Sequence, residues 1–325
     1  MDRRQLIQSL ALCASRFFDP LRAFAQAYPS RPIRLIVPSS PGGVHDIVAR
    51  LWADRLRSFA TIVVENRSGA GTIIGAAEVR RAEPDGYTLL GSTNTHILQP
   101  LSANRAAYDP LKDFSPVCLI GTTATGIAVN PKLPAQTLGE LIAYAKAHPG
   151  QLAFGHGGTG TSTHLSGELF KQLAGGLDII AVPYKGLSPA FADAISGQIA
   201  MVTTNVTGQV VDLHKSGQLR LLAVNAPTRL DVAPEIPTSR EAGLPEMVAQ
   251  TFFAIFAPAN MGKSLLEALN APTQAALKDA EFRGALVKAG FDPLPDYGPA
   301  EAKQYIADEY ARWEPLVKRI MRHAG

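Results

Sequence analysis

The chain has 325 residues, 46% of them hydrophobic and 18% charged, with a formal charge of +3. That length accommodates two domains of ordinary size, and no apolar run reaches the roughly 20 residues of a membrane span. Residues 1–27 hold four arginines against two aspartates, leaving 27 basic and 26 acidic residues in the remainder, a balance with no electrostatic footprint for nucleic acid.

The first 27 residues read as an export signal. MDRR supplies a basic start, LIQSLALCA a short apolar stretch, and Ala25-Gln26-Ala27 a small-x-small cleavage site. Arg3-Arg4 loosely resembles a twin-arginine signal, so the export route stays open. A lipid anchor on Cys13 is disfavoured by Leu12, which stands where a small residue is needed. Cleavage after Ala27 leaves Cys118 as the sole cysteine; no intramolecular disulfide can form, and the apolar setting VCLI predicts a buried, inert thiol.

Beyond Ala27, short Val/Ile/Leu-rich runs alternate with helical periods. Strands are expected at IRLIV (33–37), TIVVE (61–65), YTLLGST (87–93), 117–129, LAFG (152–155), IIAVPY (179–184), IAMVTTN (199–205), LRLLAVN (219–225) and TFFAIFAP (251–258). Ile47, Leu51, Leu56 and Phe59 recur near the 3.6 period. Thr137-Leu-Gly-Glu140 is a capping box, and Ser188-Pro189 predicts an N-cap followed by proline at the first helical position. Two closing helical segments are expected at 264–288 and 299–322. This alternation implies an α/β fold with parallel sheet. The 117–129 run is long enough to cross between two domains. A proline-rich stretch without period, 226–246, precedes the last strand, which can cross back.

Three glycine-rich loops follow strands: PSSPGGVHD (38–46), RSGAGTIIGA (67–76) and GHGGTGTSTH (155–164). At the carboxyl end of a strand in an open α/β sheet such a loop lines the ligand crevice, and glycine lets backbone N–H groups approach an anion. A nucleotide does not fit. The glycine spacing of 69–75 is off by one residue, that loop follows the second strand, and GxxxxGK[ST] is absent, so no cofactor is expected. Nor is there a GxSxG elbow, an HExxH or a paired-cysteine motif, and no metal site is expected. A Ser162–His164 dyad lacks the strained turn that would activate the serine. An enzyme is not expected.

At this point whole segments carry a resemblance. YPSRPIRLIVPSSPGGVHDIVARLWADRL, VVENRSGAGTIIGA, DGYTLLGSTNTH, YDPLKDFSPV, VPYKGLSPAFADAISGQ, REAGLP and FFAIFAPA run in the order seen in one family from Tyr28 to near the C-terminus. They resemble the periplasmic solute-binding receptors of tripartite tricarboxylate transporters, the Bug-type proteins. The resemblance implies a type II periplasmic-binding-protein fold, two α/β lobes joined by crossover strands and closing on a small organic carboxylate. Residues 28–125 with 250–325 would form one lobe and 126–249 the other. The implied partners are the carboxylate and the permease subunits of the transporter; nucleic acid is excluded, and the receptor would be a monomer in the periplasm.

Motif by motif, the resemblance assigns Ser40, Gly42, Gly43, His45 and Asp46 to one carboxylate. It assigns Thr93, Asn94, Thr95 and His96 to the segment after the third strand. His156, Gly158, Thr159, Thr161 and Ser162 form the second-lobe loop, with Tyr184, Thr204, Asn205 and Phe252 beside the pocket. Ser39-Ser40 replaces an aromatic-proline pair common in the family, His45 and His156 stand where small or hydroxyl residues are usual, and Thr204 replaces a common Asp, a change that disfavours a ligand amine. A sensor presenting the acid to a signalling receptor and a periplasmic hydrolase are the alternative readings. The sequence does not name the acid.

Overall fold

The structure is a computed structural model that describes residues 28–69, 72–102 and 107–323, with backbone alone at 44 and 321–323. The expected export signal and Cys13 lie outside the described residues.

Three parallel strands open the chain: β1 (Ile33–Val37), β2 (Ile62–Asn66) and β3 (Thr88–Thr93), with β1 between the other two. β1 is buried at every position but Arg34, whose guanidinium pairs with Glu65 and Glu78, each at 2.7 Å; helices cover both its faces, as parallel sheet requires. α1 (Val44–Arg55) and α2 (Ile73–Arg80) make the crossovers. On α1 the period predicted from Ile47 and Leu56 is present but rotated: Val48, Ala49, Trp52 and Leu56 are buried, whereas Ile47 faces solvent. The Trp52 indole N–H donates to Thr273 Oγ1 at 3.0 Å, which satisfies its one polar atom inside the core.

A short helix the sequence pattern does not announce follows β3: α3 (Thr95–Ser102), with Pro100 inside it. Proline has no N–H for the carbonyl four residues back. That carbonyl, His96 O, is taken instead by the Tyr108 hydroxyl at 2.9 Å.

β4 (Phe114–Val129) is the strand on which the molecule turns. Antiparallel to β9 (Gln250–Pro258) from Phe114 to Ala124, it then pairs with β7 (Met201–Asn205) and β8 (Arg220–Val224) from Thr125 onward. Between these lie α4 (Leu138–Ala147), β5 (Leu152–His156), α5 (Ser162–Leu173), β6 (Ile179–Pro183), α6 (Leu187–Ser196) and α7 (Gly208–Lys215). β5 is parallel to β6 and β7. The chain ends with α8 (Lys263–Lys278), α9 (Ala280–Lys288), β10 (Asp292–Pro293) and α10 (Pro299–His323). Among the described residues the sheet runs β2-β1-β3-β9-β4-β7-β5-β6, with β8 and β10 also on β4.

Two local expectations change. The segment 264–288 is two helices, because Asp279 is extended (φ −77°, ψ 131°) and caps α9 through the Phe282 N–H at 3.0 Å. Helix α6 starts at Leu187 after Gly186 (φ +98°), so Ser188 lies inside it and caps nothing. The Thr137 capping box forms, its hydroxyl accepting from Glu140 N at 3.2 Å. Cys118 is fully buried, and burial pushes its thiol up to about 12.

Where β4, β8 and β9 exchange partners, a polar knot replaces apolar core. Thr125 Oγ1 and Ser166 Oγ lie 2.7 Å apart, Asn225 Nδ2 donates to Thr125 Oγ1 at 2.9 Å and Ser239 Oγ donates to Asn225 Oδ1 at 2.6 Å. All four residues are buried. A fully satisfied buried network fixes one geometry, because any slippage orphans a polar group in low dielectric.

Candidate functional site

The carboxyl ends of β1 and β5 carry the first and third glycine loops the sequence points to, and β3 ends in the Thr93–His96 segment; residues 70 and 71 of the loop after β2 lie outside the described residues. In the first, Gly43 is the N-cap of α1 and offers no side-chain cap, so the first-turn amides of the helix are left to an outside acceptor. Gly42 takes φ +77°, a left-handed backbone that favours glycine. Asp46 builds the loop from beneath: its carboxylate accepts from the Gly42 N–H at 2.8 Å, Arg50 Nε at 3.0 Å and Asn66 Nδ2 at 3.0 Å. Burial works against that charge, but Arg50, Gly42 and Asn66 outweigh it and hold the carboxyl below its ordinary range. Asp46 therefore shapes the cradle with both oxygens engaged. Ser40 is exposed, and its carbonyl accepts from Gly43 N at 3.3 Å.

The β3–α3 segment joins the first loop to the second. His45 Nε2 lies 2.9 Å from Thr93 Oγ1, which also accepts from Thr95 N at 3.4 Å. Burial pushes the His45 imidazole down to about 4. Gln99 Nε2 on α3 donates to the carbonyl of Thr159 at 2.8 Å, tying the β5–α5 loop to the first half of the chain. Asn94 turns away: it donates to Gln250 O and accepts from Phe252 N, docking β3 on β9. His96 is fully buried between Tyr108, Phe114 and Phe256, and neither of its ring nitrogens has a partner. Burial pushes it down to about 3.

The β5–α5 loop is folded differently. Thr161 caps α5, accepting from His164 N at 3.4 Å, and its hydroxyl donates to Gly158 O at 2.7 Å. Ser162 is buried at the first helical position. His156 Nδ1 accepts from Gly158 N and His164 Nδ1 from Gly160 N, each at 3.2 Å. The two rings stand 4.4 Å apart, centroid to centroid. Burial, then the neighbouring His164, pushes His156 down to about 4; burial, then Lys171, does the same to His164.

The remaining expected residues each have a partner within the protein. The Tyr184 phenol donates to Asp193 Oδ2 at 2.7 Å, Thr204 Oγ1 to Asn205 O at 3.0 Å, and Asn205 Oδ1 accepts from Thr251 at 3.2 Å. Phe252 is fully buried with its ring edge-on to Tyr305. Sequence reasoning missed Gln99, Asn66 and the pairing of His164 with His156. Only His164 had a signal, its place at the end of the glycine loop. Segments 39–46, 93–99 and 156–164 contain no lysine or arginine, so an anion there meets amide, hydroxyl and imidazole donors.

A family model described as tripartite tricarboxylate transporter family receptor matches residues 48–321. BugT of Bordetella pertussis is 37% identical over 301 residues, covering 90% of both chains. The structure of an R. palustris protein with adipate superposes at a TM-score of 0.83 and 33% identity, over 90% of this chain and 97% of that one. MatC from Rhodopseudomonas palustris with bound malate gives 0.81 and 30%, over 89% and 100%. The α/β sheet with its exchange of partners along β4 is the type II periplasmic-binding-protein fold expected from the motifs. The chain belongs to the tripartite tricarboxylate transporter receptor family, of the Bug type.

Proposed function

We propose that this chain is a periplasmic receptor that closes two lobes on a small organic carboxylate and delivers it to the membrane subunits of a tripartite tricarboxylate-type transporter. The lobes are residues 28–125 with 250–325 and residues 126–249; the change of partners on β4 at Ala124–Thr125 supports that division. Cleavage after Ala27 yields the mature monomer. The observation that carries the reading is the uncapped start of α1 behind the Gly42 turn, whose amides suit a carboxylate and whose supporting charge, Asp46, is already neutralised by Arg50. Adipate and malate in two related structures support the ligand class. An array of neutral donors suits a receptor that must release its cargo: hydrogen bonds to a charged acceptor contribute about 1.5–3 kcal/mol each, and roughly four bring a complex near −8 kcal/mol, or micromolar.

A thermal-shift screen of mono-, di- and tricarboxylates on the mature protein tests this, beside mass spectrometry of small molecules carried through purification. A ligand that binds the folded state alone at about a hundredfold excess over Kd adds roughly 2.7 kcal/mol of stability. No shift with any carboxylate sinks the receptor reading, and recovery of a chemically altered ligand favours a hydrolase.

A further inference from the structure

Beside the crossover strand β4, two helices from different halves of the chain meet end to end. α7 begins at Gly208, and Thr207, its N-cap residue, makes no side-chain cap. α9 ends at Lys288, and the last carbonyls of a helix have no donor within it. These ends lie so close that a Cβ built on Gly208 would stand 2.7 Å from Lys288 O. From the other side, a Cβ on Gly290 would stand 2.5 Å from Val206 O and 2.7 Å from Thr207 Cα. Side chains do not pack that near to backbone, so each turn reaches the other only where it carries none. Gly290 takes φ +90°, which favours glycine by itself. Gly208 is different. It is the first residue of a helix, where alanine is the better helix former, and only the contact with Lys288 calls for glycine. The partial charges of the two helix ends are opposite, which favours the approach.

Both turns are fastened to β4 just before it changes partners. Val206 N donates to Ala124 O at 2.9 Å and Thr123 Oγ1 to Val206 O at 3.2 Å. β10, which follows Gly290, pairs with Gly121 and Thr122. In the same arrangement α3 reaches the β5–α5 loop, through Gln99 Nε2 on Thr159 O at 2.8 Å. We infer that the Gly208–Gly290 interlock is the fulcrum of lobe closure: the lobes reach the arrangement bridged at Gln99 only while α7 and α9 can touch end to end. The inference rests on the two-lobe receptor reading and names the contact that sets its closing angle. A side chain at position 208 wedges the helix ends apart, and β4, which holds both turns, passes the shift to the angle between the lobes. Each lobe stays folded, the bridged arrangement is less populated, and apparent affinity falls by the same factor.

The experiment measures the mature protein by small-angle X-ray scattering without ligand, and by titration calorimetry with malate and adipate as probes. Gly208→Ala should keep the far-UV spectrum, enlarge the radius of gyration and weaken binding of either acid at least about tenfold, the factor by which the competent population drops. Thr123→Val adds no volume but releases Val206 O from β4, so it should shift both readouts the same way by less, and it carries the test if the Gly208 variant does not fold. Gly284→Ala lies on the same helix α9 with nothing within 4 Å of the added Cβ, and should match the parent. A folded Gly208→Ala protein with the parent's radius of gyration, or with the parent's affinity, overturns the inference. So does a Gly284→Ala protein that changes as much. The scattering comparison needs no ligand, so it decides the inference even where neither acid binds, a result that counts against the receptor reading instead.

Discussion

The first and third glycine loops solve one problem by opposite means. At the β1–α1 loop the helix start has no side-chain cap, Gly42 faces solvent, and a buried carboxylate braces the turn from below. At the β5–α5 loop the helix start is capped by Thr161, the glycine amides are consumed by two imidazoles, and the loop is pinned to α3 through Thr159. The first offers backbone donors; the second spends its backbone donors to orient side chains. A glycine-rich stretch between strand and helix is therefore not one kind of site. What decides is where the loop's own N–H groups go.

The sharpest way to separate the two uses a pair of glycines with matched backbones. Gly42 has φ +77° and nothing within 4 Å of an added Cβ; Gly160 has φ +76°, but its Cβ would stand 2.9 Å from Ser102 Oγ and 3.0 Å from Ser102 Cβ. An L-residue in the left-handed region costs about 1–2 kcal/mol at either position. Only at Gly160 is a clash with α3 added. Gly160→Val should abolish ligand binding, a loss of more than a hundredfold, with a normal far-UV spectrum. Gly42→Val should cost about tenfold, which is the backbone strain alone. Equal losses at the two positions would mean that the packing of the second loop on α3 has no part in binding.

Acid should expose the second loop next. His156 and His164 are both pushed down to about 4, below the 6.5 of an unfolded histidine. Between those values the unfolded chain binds more protons than the folded one, so the pair's stabilisation is complete above pH 6.5 and is lost as pH falls toward about 4. Each ring carries at most about 3 kcal/mol of that effect, and because the two repel, the pair loses more than one ring alone. Urea unfolding at pH 8 and pH 4.5 should show that the His156→Asn/His164→Asn double variant loses about 5 kcal/mol less than the parent on acidification. His45→Ser should also relieve the loss, by one ring's worth, while His96 continues to titrate in every variant. An unchanged acid loss in the double variant would return both rings to solvent-like behaviour.

How far the sequence reaches follows the same division. Strands were legible because β-branched runs such as IRLIV have to be buried whichever way the chain goes, and β1 is Ile33–Val37 as expected. Helix α3 was not, since THILQPLS is short, contains proline, and is completed by Tyr108, which lies outside it. The break at Asp279 was hidden because the apolar pattern continues through it. The glycine loops were legible as places. Their working parts were not, because those are settled by residues far along the chain: Asp46 by Asn66, Asn94 by Gln250 and Phe252, Thr159 by Gln99. His164 was visible as a residue and unreadable as a donor, for its proton position depends on the Gly160 amide.

The smallest effect is expected beneath the first loop, and it tests whether that loop is held or merely present. Asp46 keeps a carboxylate among Gly42, Arg50 and Asn66, and the Arg50 guanidinium also reaches Asn66 Oδ1 at 3.1 Å. Asp46→Asn preserves shape but turns one charged acceptor into a donor, which then faces either the Gly42 N–H or the Asn66 amide. A hydrogen bond to a charged group contributes about 1.5–3 kcal/mol, and part of the loss returns as the loop relaxes toward solvent, since Gly42 is exposed. Affinity for the best carboxylate should fall about three- to tenfold with the melting temperature of the unliganded protein only slightly lower. The acid sensitivity of the β5–α5 loop should be untouched, because that belongs to His156 and His164. A variant that lost that acid sensitivity along with the affinity would show the two loops acting as one unit, and the contrast between them would fail.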